Sequence, residues 1–141
     1  MNLSTHFTLE ELTVSQAAAR LGLDNTPSPP IVANLTNTAL GLEMVRALLQ
    51  APIIINSGYR SPAVNRAVGG VGMSQHMTGQ AADIICPGYG HPLEVVEAIV
   101  RSSIPFDQCI LEFESWCHIS FAPDPRRQAL VIDHDGTRAL A

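Results

Sequence analysis

The chain has 141 residues, 46% hydrophobic and 15% charged, with ten Gly and ten Pro, a size and composition that suit one compact domain and leave no apolar run long enough for a membrane span. All eight cationic side chains are arginine, so a P-loop, a Schiff base or a pyridoxal phosphate site is excluded. A net charge of -5, with no arginine cluster beyond Arg126-Arg127, offers no footprint for a nucleic-acid backbone.

The start, MNLSTHFTLEELTV, has no basic residue leading into an apolar stretch, so no secretory signal is visible and the chain is expected to be cytoplasmic as synthesised. Thr8-Leu-Glu-Glu11 has the form of a capping box, and Leu12, Ala17, Ala18 and Leu21 follow before Gly22, which predicts one short first helix. Residues 24–30 are polar and proline-rich and read as a loop, with Ser28 as an N-cap and Pro29 near the first helical position. Over residues 31–50, Leu35, Leu42, Val45, Leu48 and Leu49 recur at near-helical spacing, so a longer helix should lay one face on the core.

Ile53-Ile54-Ile55 is a β-branched run too short for a helix and ends at Asn56-Ser57-Gly58, which predicts a buried strand. Ser61-Pro62 opens a short helix over 63–68, Gly69, Gly70 and Gly72 mark a flexible loop, and 81–86 is an apolar strand interrupted by Asp83. A helix over 92–101 and strands over 108–113, 116–121 and 129–133 complete the chain. The sum is about four helices and four or five strands, an α+β single domain with a small, largely antiparallel sheet and helices packed around it. Cys86, Cys109 and Cys117 are odd in number, have no CxxC spacing and lie among apolar residues, so they are expected to be reduced core thiols.

Chemistry concentrates in Ser57-Gly-Tyr-Arg-Ser61, in Ser74-Gln-His-Met-Thr-Gly-Gln-Ala-Ala-Asp83, and in Glu112-Phe-Glu-Ser-Trp-Cys-His-Ile-Ser120. A free charge at Asp83 in an apolar strand is costly, which leaves exposure, an arginine partner or a metal as ways to stabilise it. His76 lies seven residues earlier, across a Gly79 that permits a tight turn, and His118 sits in another apolar strand. Two histidines and a carboxylate would make a zinc site with one open position; the alternative is a set of buried, hydrogen-bonded polar groups. Cys117 is adjacent to His118, so the two should point to opposite faces of a strand, which disfavours a nucleophile and base pair. His6, His91 and His134 lie near termini or turns and are expected in solvent, and Asp133-His134-Asp135-Gly136 reads as a β-turn rather than a metal cluster.

SGYRS, then SxHxxGxAxD as Ser74, His76, Gly79, Ala81 and Asp83, then WxH as Trp116 and His118, resemble the zinc D-alanyl-D-alanine carboxypeptidase family. That family includes the VanX and VanY enzymes and phage endolysin peptidases, and the short phage and prophage type is the most similar. The resemblance covers residues 53–121 and implies a zinc peptidase acting on peptidoglycan stem peptides, as a carboxypeptidase or an endopeptidase. Residue by residue it implies His76, Asp83 and His118 as Zn2+ ligands, Arg60 as a group that holds a terminal carboxylate or a developing oxyanion, and Ser74 as a substrate-positioning residue. Gln75, Tyr59 and Trp116 stand within or beside the same motifs as further substrate contacts, although a lone Trp in a strand is more often core.

Better-known members carry a catalytic Glu or Asp three residues before the last histidine, where this chain has Ser115. Short relatives have an E-F-x-x-W-x-H block, which matches Glu112 as the general base, while the two-residue period of a strand would let either Glu112 or Glu114 reach the site. The alternative is a catalytically silent, zinc-containing wall-binding or phage structural module. The expected partner is a peptidoglycan peptide, with no nucleic acid and no membrane, bound by a monomer that reaches the wall only if released, for example by a phage lysis system.

Overall fold

The helical start of the chain is broken in two. In the computed structural model, which describes residues 1–140, α1 runs Leu9–Thr13 and α2 runs Gln16–Leu21. The expected capping box is present: Thr8 accepts the Glu11 N–H, and the Glu11 carboxylate accepts the Thr8 N–H. Instead of one helix, the chain turns extended at Val14, and the Ser15 hydroxyl accepts the Ala18 N–H to cap a second one. Helix α3, Pro29–Leu49, begins after Ser28 with proline in its first turn. It buries Leu35, Leu42, Val45 and Leu49, but Leu48 is partly exposed in a row with Leu40 and Met44. Leu48 lies about 100° around the helix from Leu49, so only one of the two can face the core.

The remaining elements are β1 Ile54–Ser57, α4 Pro62–Ala67, β2 Ala81–Ile85, α5 Pro92–Arg101, β3 Gln108–Glu112, β4 Trp116–Ser120, β5 Gln128–Asp133 and β6 Gly136–Ala139. The fold is α+β as expected, with five helices and six strands among the described residues rather than about four helices and four or five strands. The strands form one sheet in the order β1-β2-β4-β3-β5-β6, antiparallel throughout except where β5 runs parallel to β3. The unexpected β6 is an exposed edge strand, joined to β5 by the predicted Asp-Gly turn, in which Asp133 pairs with Gly136 at φ 115. None of the described helices is long and apolar enough to cross a membrane.

The two-residue period of the strands sorts the chemistry from the core. Ala82, Ile84, Cys109, Leu111, Cys117 and Ile119 join the core cluster together with residues of α3 and α5. Asp83, Ile110, Glu112, Trp116 and His118 alternate with them and line a cleft on the opposite side of the sheet. All three cysteines are free and buried, as expected, with the Cys109 and Cys117 sulfurs 3.8 Å apart. The hydrogen bond with the Cys109 thiol, followed by burial, pushes the Cys117 thiol upward, which keeps it unreactive.

Candidate active site

Asp83 on β2 and His118 on β4 are direct register partners, so two strands place a carboxylate and an imidazole side by side on the cleft face. The loop before β2 brings His76 to them: His76 Nε2 lies 3.3 Å and His118 Nδ1 3.0 Å from the same Asp83 oxygen, Oδ1. One ligand atom from each of the three falls within 4.8 Å of the others, and all three residues are buried. A tetrahedral zinc with bonds of about 2.05 Å holds its ligand atoms about 3.3 Å apart, a spacing that both imidazole distances to Asp83 match closely. Burial works to raise the Asp83 carboxyl, but hydrogen bonds from His118 and His76 outweigh it and hold the group well below the usual carboxylate range.

Backbone geometry aims His76. Its Nδ1 lies 2.7 Å from the Gly58 carbonyl, which accepts the ring proton there, so that once Nε2 gives up its own proton the lone pair left on it faces Asp83 and His118, the outer-shell arrangement that orients metal-binding imidazoles. Gly58 can be nothing larger, because a Cβ would stand 2.4 Å from the Leu12 carbonyl oxygen. The return from His76 to β2 passes through Gly79 at φ 78, packed against Ile31 and Leu35 of α3, and its carbonyl accepts the Thr38 hydroxyl at 2.7 Å.

The two glutamates are separated by a turn and do not share a strand face. Glu112 closes β3 opposite Trp116, whereas Phe113 and Glu114 both have positive φ, 53° and 55°, and the Ser115 N–H donates to the Glu112 carbonyl, the pattern of a type I′ hairpin turn. Glu112 Oε1 is 3.5 Å from His118 Nδ1. Burial, followed by the Asp83 charge, raises the Glu112 carboxyl above its ordinary value, with His118, His76 and Arg60 opposing. Glu114 is exposed in the turn, as is Ser115, whose hydroxyl donates to the Phe113 carbonyl.

Arg60 enters from the loop after β1; its Nη2 is 3.4 Å from Ser74 Oγ, and its Nε is buried without a partner. Burial lowers the Arg60 guanidinium somewhat, the Asp83 and Glu112 charges pull it back, and it remains cationic. Ser74 is buried and also accepts the His76 N–H at 3.2 Å. Trp116 lines the cleft with a buried indole N–H that has no partner. Tyr59 goes elsewhere: next to Arg60 but pointing into the core cluster at 6% exposure, it does not line the cleft. Its N–H donates to the Leu12 carbonyl, which turns the ring beneath α1.

Several residues at the site carry no local signal in sequence. Asn25, in the loop before α3, donates to the carbonyls of Thr13 and Tyr59 and accepts the Ser61 N–H, fixing both sides of Arg60. Asp107, just before β3, accepts from Gln75 Nε2 at 2.9 Å and takes Arg126 through Nε and Nη2 at 2.9 and 2.7 Å. Of the histidines expected in solvent, His6 pairs with Glu43 at 2.7 Å and His134 packs against Phe113, while His91 caps α5. Asp133 pairs with Arg138 at 2.8 Å beside the β5–β6 turn.

The profile of the peptidase M15 family matches residues 5–120, extending well beyond the three motifs toward the N-terminus. The chain belongs to this family. A search of curated proteins gave no match. M15 peptidases are zinc-dependent hydrolases, and in this M15 chain the converging His76, Asp83 and His118 supply the donor set that such a metal requires.

Proposed function

We propose that the chain is a zinc metallopeptidase that hydrolyses peptide bonds in peptidoglycan stem peptides, as a D-alanyl-D-alanine carboxypeptidase or an endolysin-type endopeptidase of the phage type. The observation that carries this reading is Glu112, a raised carboxyl 3.5 Å from a residue of the His76-Asp83-His118 triad, in a cleft of about 790 Å³ that suits a short peptide. The chemistry zinc supplies when held by that triad is acidification of water and polarisation of a carbonyl.

Glu112 takes a proton from the attacking water at a carboxylate oxygen as the C–O bond forms, and returns it to the amine nitrogen as the C–N bond breaks. A raised carboxyl suits both halves of that transfer. Arg60 lines the same cleft and holds either the terminal carboxylate of the peptide or the developing oxyanion. Ser74 steadies Arg60, and Trp116 walls the cleft against the peptide. Every group named lies within one chain, which supports a monomer as the working form at the wall.

A silent wall-binding module draws its support from the serine at position 115, but Glu112 beside His118 fills the place of the missing carboxylate. The test is to incubate the zinc-loaded protein with purified peptidoglycan and read the new termini by mass spectrometry. New D-Ala or stem-peptide termini are expected; intact peptidoglycan would overturn the proposal.

A further inference from the structure

The cleft extends past the triad along β3, over a floor of Ile110 and Leu130, to a second arginine. Arg126 lines that far end, in the crossover that carries the chain from β4 to β5. Its partner Asp107 is 2% exposed and takes Nε, Nη2 and the Arg126 backbone N–H, all between 2.7 and 3.0 Å. That clamp leaves Nη1 unused on a side chain that is 55% exposed. An ion pair that served only to fix the crossover would have no reason to open onto the substrate cleft. A guanidinium held rigidly by one edge offers its other edge to a ligand with little loss of rotamer freedom. Gln75 donates to the same carboxylate, which ties the position of Arg126 to the loop bearing His76.

Glu112 and Gln108 mark the two ends of the floor, four residues apart on β3, which separates them by about 13 Å. In an extended stem peptide cut before its last D-Ala, the γ-linked glutamate is three residues upstream of the scissile bond. At about 3.5 Å per residue its free α-carboxylate falls about 11 Å from the reacting carbonyl. We infer that Arg126, clamped by Asp107, is a specificity-determining residue that binds this upstream carboxylate of the substrate while Arg60 serves the end near the triad. The inference rests on the stem-peptide reading above and deepens it, assigning the chain a preference for peptides whose glutamate α-carboxyl is free over those in which it is amidated.

The test uses two synthetic pentapeptides, L-Ala-γ-D-Glu-L-Lys-D-Ala-D-Ala and its glutamate α-carboxamide, titrated calorimetrically into the zinc-loaded Glu112→Gln chain. The carboxylate form should bind about tenfold more tightly, on the scale of one charge-assisted contact. Adding Arg126→Gln should abolish the preference, and adding Arg60→Gln should leave it intact. No preference in the parent, a preference that survives Arg126→Gln, or one lost with Arg60→Gln would each overturn the inference. Should Arg126→Gln fail to fold, the parent and Arg60→Gln decide alone. If neither peptide binds yet the wild type still cuts peptidoglycan, the Arg126 assignment falls while the peptidase reading stands; if nothing is cut either, both fall.

Discussion

Replacing Glu112 by Gln removes one proton acceptor and leaves the triad untouched, since the carboxylate lies 3.5 Å from His118 but contributes no atom to the convergent set. Loss of a positioned general base costs about 10² to 10⁴ in rate, or about 3 to 5 kcal/mol of transition-state stabilisation. Stability should move the other way. In the folded, metal-free chain the Glu112 carboxyl sits above its ordinary value because of burial and the Asp83 charge. A carboxyl raised on folding costs stability as pH rises past its unfolded value, in full once pH exceeds the folded one, so the neutral amide should raise the melting midpoint at pH 7. The assay is threefold: zinc content, turnover on peptidoglycan and thermal melting of the metal-free form. Glu112→Gln should keep about one zinc, lose turnover and melt higher, whereas His118→Ala should lose zinc and turnover together. Glu114, exposed in the hairpin turn, should tolerate the same change with little effect. Full activity in Glu112→Gln, or a dead Glu114→Gln, would refute the assignment of the base.

Three further outcomes are expected. Arg60→Ala should cost about 2 kcal/mol, roughly thirty-fold in kcat/KM, on peptides with a free terminal carboxyl and little on C-terminally amidated ones; equal losses on both would assign Arg60 to the oxyanion instead. Gly79→Ala forces a side chain into φ 78 and brings its Cβ to 3.0 Å from the Ile31 carbonyl oxygen, so the fold should lose about 1 to 3 kcal/mol by denaturant melts; an unchanged midpoint would show that the turn is not constrained. The Arg126 hydrogen bonds hold the Asp107 carboxyl far below its ordinary value. A carboxyl lowered on folding stabilises the protein above its unfolded value near 3.8, and that contribution is lost as pH falls below it. Asp107→Asn should therefore lower the midpoint at pH 7 and flatten its decline toward pH 2; an acid decline as steep as that of the wild type would exclude the pair as a source of acid lability.

What could be read along the chain was whatever local geometry decides. The capping box at Thr8, the Asp-Gly turn before β6 and the Gly79 turn follow from residues within a few positions of one another, because they depend on one or two backbone angles and a nearby donor. The strand period already separated Cys117 from His118, and the resemblance carried by the three motifs joined His76, Asp83 and His118 as a set that spacing alone left open. Folding decided what depends on the space around a residue. Val14 breaks the first helix because Ser15 offers a competing cap, and Tyr59 turns inward because its backbone is bonded under α1. The turn at Phe113 and Glu114 takes two left-handed residues without a glycine, held from outside by the Phe113 N–H bond to Ile132 on β5 and by Phe113 packing on Trp116 and His134. That turn puts Glu112 at the triad and Glu114 in solvent. The clamp between Asp107 and Arg126 closes across 19 residues and exists only because β5 lies parallel to β3, a pairing set by the free energy of the whole sheet and by no local preference.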